Sequence, residues 1–261
     1  MLEFPSVPDG EPVRVSASTF VAYRQCPELA DSRLQGEYGP DTISAFRGGL
    51  AHRLFSRHLA TGPIPPDEFD QACRQEIGSS NLNHKMASLG LKTSDLDRVF
   101  EEVRALYERF VRLPTDGFTG SELELEAEPQ EGVELVGTID AVFEDEEDVR
   151  LVDWKTGGLG EAEAQLGFYS LLWVLVHSEL PQIVEAVSVR TGERSRSVPT
   201  SASVQSTAKA VALMVTDLRS SWQDRRALPR TGGPWCTGCA RLETCTEGQA
   251  AARIAVSRRE V

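Results

Sequence analysis

The chain has 261 residues and a formal net charge of −13, with 40% apolar and 26% charged residues. These proportions belong to a globular chain and exclude disorder, collagen and coiled coil as the whole architecture. The length suffices for one large domain or two small ones with a sizeable core. The longest mostly apolar run, Phe168 to Val176, ends at His177 and falls short of the roughly 20 residues of a bilayer span. The opening MLEFPSVPDG has no basic residue and no apolar stretch typical of a secretory signal. A cytoplasmic protein without a membrane partner is expected.

The charge is unevenly placed. Twelve Asp and Glu and no Lys or Arg lie between Ser121 and Val149, so that stretch carries −12 and the rest of the chain sums to −1. From Ala186 onward twelve Lys and Arg stand against six Asp and Glu, a local excess that is either a solvated face or a surface for a nucleic-acid backbone. Five cysteines in a reducing compartment point to metal or catalysis rather than to disulfides. Cys236, Cys239 and Cys245 form a Cys-x2-Cys-x5-Cys run, Cys26 lies far upstream, and Cys73 reads as a buried core thiol.

In chain order, a Pro-rich lead gives way to a helix capped by Ser16 or Ser18 and running to about Leu34. A second helix over Ile43 to Leu59 is ended by Pro63, Pro65 and Pro66. Apolar spacing predicts further helices near Asp67 to Ile77 and over Ser94 to Leu113. At Ser121 the period changes to two: Glu122, Glu124, Glu126 and Glu128 alternate with Leu123, Leu125 and Ala127, the pattern of a half-buried strand. Val133 to Phe143 and Val149 to Lys155 read as a hairpin about the acidic tip Glu144 to Asp148. A helix over Glu161 to Leu180, strands at Ile183 to Arg190 and Ser195 to Val198, and a helix over Val204 to Arg226 follow. This order fits an α/β core preceded by a helical section.

Asp153 and Lys155 lie two apart on a predicted strand, so both face one side while Trp154 faces the other. If the hairpin is symmetric about a turn of residues 145–148, Asp140 lies opposite Asp153, close enough for two carboxylates to share one hard cation. A neighbouring Lys then suits phosphate chemistry. On its own, Asp-x-Lys is also what a solvated strand face presents. None of the four lysines follows a Gly, so there is no phosphate-binding loop of the motor type.

Arg47-Gly48-x3-His52, Gly137-Thr138-Ile139-Asp140, Val152-Asp153-Trp154-Lys155-Thr156-Gly157 and Gln165-x3-Tyr169 form an ordered series. In these motifs the chain resembles the RecB-type branch of the PD-(D/E)XK nuclease superfamily. The resemblance implies a restriction-endonuclease-like α/β core, a mixed central sheet flanked by helices. It implies Mg2+ or Mn2+ held by His52, Asp140, Asp153 and the Trp154 carbonyl, with Lys155 assisting the water and Gln165 and Tyr169 supporting the site. A Glu on the preceding strand contributes in some members; Glu124 and Glu126 are candidates whose register the pattern does not determine.

Tyr23-Arg24-Gln25-Cys26-Pro27 together with Cys236, Cys239 and Cys245 resembles the split iron-sulfur motif of AddB-type subunits and CRISPR-associated exonucleases. It implies a 4Fe-4S cluster that staples the N-terminal helix to the C-terminal tail; Zn2+ on the four thiolates is the competing reading. The expectation is then a single nuclease domain over 1–261, with a helical insert at 62–120, a core at 121–230 and the cluster at residues 26 and 236–245. Its activity would be a metal-dependent DNase, an exonuclease, acting on single- or double-stranded DNA in processing or repair, with a helicase or other repair protein as partner. The rival functions are a catalytically silent DNA-binding module and a zinc-stapled protein-binding module.

Overall fold

The computed structural model describes residues 2–145 and 148–257, without the side chains of 255–257. Six strands form one mixed sheet: β1 (Val13–Ser16), β2 (Phe118–Gln130), β3 (Val133–Asp145), β4 (Asp148–Lys155), β5 (Ile183–Ser188) and β6 (Arg194–Ser197). β2 runs antiparallel along one edge of β3, with Leu123 opposite Ile139. The other edge of β3 is divided. β1 pairs with its first part in parallel, Val15 opposite Leu135, and β4 pairs with its last part in antiparallel fashion, Ala141 opposite Val152. Residues 137–140 therefore have no strand partner on that edge, and the sheet opens there. β5 continues the sheet parallel to β4, and β6 closes it antiparallel to β5.

Helices cover both faces. On one, α1 (Ala17–Gln25), α7 (Ala162–His177) and α8 (Ser201–Asp224) bury Phe20, Phe168, Leu171, Val211 and Val215 against Leu135, Ile139 and Leu151. On the other, α3 (Ile43–Thr61) and α6 (Leu96–Phe110) bury Leu50, Phe55, Val103 and Phe110 against Ala141, Val152 and Trp154. Each such fully buried side chain contributes about 1.5–3 kcal/mol. The segment 62–120 also holds α4 (Phe69–Gly78) and α5 (Leu82–Ser88), and its last three residues already belong to β2. Through α6 it completes the second core: Phe110 stacks on Phe55 with ring centroids 4.2 Å apart and meets the Trp154 ring edge-on at 5.3 Å.

Three local features differ from the sequence expectation. Val13–Ser16, expected as lead, is a strand, because the parallel ladder to β3 supplies bonds that four isolated residues lack. The single helix expected to reach Leu34 is broken at Cys26, and α2 (Pro27–Leu34) starts afresh with Pro27 at its first turn. The ring of Pro27 disfavours helical backbone in the residue before it, and Cys26 is extended at φ −162°, ψ 113°. Third, the predicted strand to Arg190 ends at Ser188, and the helix expected from Val204 begins at Ser201, capped by Thr200, whose side chain accepts from Ser203 N–H. Beyond α8, short 3-10 turns at Pro234–Gly238 and Leu242–Thr244 lead to α9 (Thr246–Ser257). Among the described residues no helix is long and apolar enough to cross a membrane.

Candidate active site

The opening in the sheet brings the predicted side chains together. Asp140, the last residue of β3 before β4 joins, accepts the backbone N–H of Trp154 at 2.7 Å through Oδ2. Its carboxylate thus satisfies a β4 donor, and its Oδ1 lies 3.2 Å from His52 Nδ1 on α3. The β3–β4 ladder keeps the register of the symmetric tip from Asp145–Asp148 to Ala141–Val152 and ends there, one residue short of Asp140 and Asp153.

Asp153 and Lys155 project to the α7 side, and the Trp154 ring projects into the opposite core. Gln165 on α7 holds the pair. Its Nε2 donates to Asp153 Oδ1 at 2.8 Å and to the Tyr169 hydroxyl at 3.0 Å, while its Oε1 accepts from Lys155 Nζ at 2.5 Å. Gly137 allows α7 to lie this close: a Cβ there would stand 3.2 Å from Tyr169 Cε1 and 3.0 Å from Leu172 Cδ2. Trp154 contributes its backbone N–H; its indole N–H is buried without a hydrogen-bond partner.

The sequence expectation missed Glu122. His52, Glu122 and Asp140 offer ligand atoms that all lie within 4.8 Å of one another. Glu124, Glu126 and Glu128 are more open to solvent on the same strand, and Glu126 sits in an ion pair with Arg14 instead. Glu122 differs from them in its backbone, at φ +51°. That left-handed conformation costs a non-glycine residue about 1–2 kcal/mol, and strain of this kind collects at functional sites. Period-two alternation gives Glu122 the same phase as these neighbours, so no pattern singles it out.

The charges explain the protonation of the site. Burial works against a charged His52, but the carboxylates of Asp140, Asp153 and Glu122 outweigh it and push its pKa up to about 9. Burial and then the facing Asp140 carboxylate push Asp153 up to about 6, against the opposing pull of Lys155. Burial, followed by Asp140, also raises Glu122. Asp153 Oδ2 stands 2.8 Å from Lys155 Nζ yet has no directed hydrogen bond, and it is fully enclosed. Lys155 and the protonated His52 compensate the three crowded carboxylates here, a part that a bound cation could take over. Carboxylate oxygens suit Mg2+ or Mn2+, and the one imidazole tips the set toward Mn2+. The residues fit the ion.

Cys26, Cys239 and Cys245 lie near Cys236 at the C-terminal end of α1, although no three of the described cysteine sulfurs come within 4.8 Å of one another. Cys26 and Cys236 are buried, Cys239 and Cys245 partly so. Burial pushes the Cys236 thiol up, and the nearby Cys26, Cys239 and Cys245 add to that. Three sulfurs accept backbone N–H groups: Cys26 from Thr231 at 3.5 Å, Cys236 from Gly233 at 3.3 Å and Cys245 from Gly248 at 3.2 Å. A polar clip joins the same segments. Arg241 pairs with Glu28 at 3.1 Å, Asp31 at 2.7 Å and Glu37 at 2.6 Å, and Arg230 with Glu28 at 3.2 Å. Cys73 lies in the second core, as expected of an unligated thiol.

Residues 14–246 match the PD-(D/E)XK nuclease superfamily, and the chain belongs to that family. No curated protein matches. Among solved structures, the chain is similar to a protein from Eubacterium rectale provisionally designated an exonuclease, at 11% identity and a TM-score of 0.51, over 82% of this chain and 83% of that one. It also aligns with a protein designated SSO0001 at 12% identity and a TM-score of 0.41, over 93% and 90% of the two chains.

Proposed function

We propose that this protein is a metal-dependent deoxyribonuclease of the RecB type that trims DNA from an end and carries a 4Fe-4S cluster on its four cysteines. The observation that carries the catalytic reading is the gathering of His52, Glu122 and Asp140, whose ligand atoms lie within 4.8 Å of one another, beside the buried Asp153–Lys155 pair. A divalent cation there would neutralise charge on the scissile phosphate and acidify a water. His52, Glu122, Asp140 and Asp153 would hold it. Lys155, fixed by Gln165 at 2.5 Å, orients the attacking water and stabilises the charge that develops on the phosphate. Tyr169 keeps Gln165 in place through the 3.0 Å hydrogen bond, and Asp140 locks the two strands that carry the acids.

The cluster reading draws its support from the nearness of Cys26, Cys239 and Cys245 to Cys236 and from the N–H groups aimed at three of the four sulfurs, since thiolate sulfurs of clusters accept such bonds. The exonuclease reading draws on the split-cysteine motif. The test is cleavage of end-labelled single- and double-stranded DNA in Mg2+ or Mn2+ by anaerobically purified protein, beside Asp153→Ala and Lys155→Ala. Metal-dependent shortening from an end, absent in both variants, is the expected result. Internal cutting would correct the exonuclease assignment, and no cleavage by a cluster-loaded wild type would favour a silent binding module. Zinc without iron or sulfide in the purified protein would replace the cluster by a zinc staple.

A further inference from the structure

A second polar site lies one residue from Lys155, at Thr156. A cavity of about 340 Å³ there is lined by Arg47 of α3, Glu102 and Arg109 of α6, Thr156 and Arg190, over a floor that includes the buried Leu106. Gly48 brings α3 close: a Cβ at that position would stand 3.0 Å from Thr156 Oγ1, so Arg47 is carried near the end of β4. Three guanidinium groups face one carboxylate. Arg47 pairs with Glu102 and donates to Ser44 Oγ at 3.2 Å. Arg109 donates to the backbone carbonyl of Arg190, a neutral partner. Neither Arg109 nor Arg190 has an ion pair among the described residues, and Glu102 is shared further with Arg98 at 3.4 Å.

Two uncompensated cations side by side repel each other, and in a chain of net charge −13 their grouping concentrates positive potential at one mouth. The cavity on the α7 side, which reaches the site residues Gln165 and Tyr169, is the reverse. With a volume of about 600 Å³, it carries Arg14 against Glu124 and Glu126, and Arg14 is already bound to Glu126 and Glu134. Of these two cavities, the one at Thr156 carries the excess of arginine over carboxylate.

We propose that Arg47, Arg109 and Arg190 form a phosphate pocket that holds the DNA strand next to the scissile bond. This deepens the nuclease reading and rests on it for the identity of the strand. Arg109 and Arg190 act as phosphate ligands through charge-assisted hydrogen bonds, with Arg47, restrained by Glu102, completing the rim. It gives α6, which carries no recognisable motif, a role at the site. The phosphate is either an internal one of the strand or the terminal phosphate of a DNA end.

The test measures binding of a labelled single-stranded oligonucleotide to the full chain in Ca2+, which supports binding without turnover, across a range of salt. Wild type is compared with Arg109→Gln, Arg190→Gln and the charge-retaining Arg190→Lys. Each glutamine variant is expected to weaken binding about tenfold, independent of base sequence, and to reduce the slope of log K against log salt by about 0.7 for each phosphate no longer neutralised. Arg190→Lys should recover most of the affinity. Oligonucleotides with a 5′-phosphate, a 3′-phosphate or hydroxyl ends separate the sources: an effect confined to one phosphorylated end identifies a terminal phosphate, and an equal effect on all identifies an internal one. Unchanged affinity and salt slope in both glutamine variants, with native thermal melts, would overturn the pocket, as would a wild type that binds no DNA. Wild type that binds through these arginines yet cleaves nothing in Mg2+ or Mn2+ would overturn the nuclease reading and leave the pocket standing.

Discussion

The carboxylate site and the cysteine site gather distant residues in opposite ways. The first is built into regular structure: β3 and β4 present Asp140 and Asp153, α3 and α7 lower His52 and Gln165 onto them, and the aromatic series Phe55, Phe110, Trp154 anchors β4 from behind. The second hangs on two 3-10 turns and α9, joined to α2 by the ion pairs of Arg241 and Arg230. The ladder bonds that hold the first site exist without any ligand, so its geometry is preorganised and damage to it shows as impaired chemistry. Side-chain pairs hold the second, so damage there shows as local disorder.

The largest effect should separate two aspartates in the first site. Asp153→Asn removes a buried charge that faces Asp140, so cleavage should fall at least about a hundredfold with little change in Tm. Asp140→Ala should abolish cleavage to the same degree and also destabilise, because the buried Trp154 N–H is left without its acceptor, at about 1–3 kcal/mol. Activity assays beside thermal melts check both; equal Tm decreases in the two variants would mean that Asp140 does not secure β4. Glu122→Ala should match Asp153→Asn in activity, with a Tm at or above wild type, since it removes a crowded carboxylate from a strained position.

In the second site, Cys236→Ser should cost bound iron and open the chain between α8 and α9 to protease, while the fragment up to α8 keeps its melting transition. Intact resistance to protease in the iron-free variant would show that the polar clip alone orders the tail. Arg241→Met should be milder, about 1 kcal/mol, because it takes one partner from each of the Asp31 and Glu28 carboxylates while Glu28 keeps Arg230 at 3.2 Å. Asp31 keeps one partner, the Trp222 indole N–H at 2.6 Å. A destabilisation in the double variant smaller than the sum of the two single effects would show that clip and cluster stabilise the same junction.

The two sites also differ in how far they can be read from the chain. The hairpin of β3 and β4 was legible on the assumption of a symmetric tip, and the ladder from Asp145–Asp148 to Ala141–Val152 has that register, although both strands run further toward the tip than the pattern indicates. The helical period of α6 was clear as well, and its apolar positions Leu96, Val99, Phe100, Val103, Leu106, Tyr107 and Phe110 are all buried. Glu122 was not legible, because its distinction is a backbone angle rather than a place in the alternation. Nor was β1, whose four residues need a partner strand 120 positions on, Val13 to Val133, to be a strand at all. The arginines at 47, 109 and 190 share no local pattern; packing of α3 and α6 on one face of the sheet brings them to one cavity.

The smallest expected change tests how finely the first site is set. Gly48 lies within α3, where alanine gains about 1 kcal/mol of helix propensity. Its new Cβ would meet Thr156 Oγ1 at 3.0 Å, a distance that obliges Thr156 to yield by a few tenths of an ångström. The two contributions oppose each other, so Tm should hardly move. The displacement, however, is handed directly to Lys155, whose ammonium is fixed by Gln165 and Asp153, and cleavage should fall several-fold through kcat, since positioning within a fraction of an ångström is what a reacting group requires. Thr156→Ala removes the obstructing oxygen. In that background Gly48→Ala should leave cleavage unchanged and raise Tm by about 2–4 °C, the full helix-propensity gain. If the single variant cleaves as fast as wild type, the packing of α3 on β4 is soft, and Lys155 is held by its hydrogen bonds rather than by the closeness of the helix.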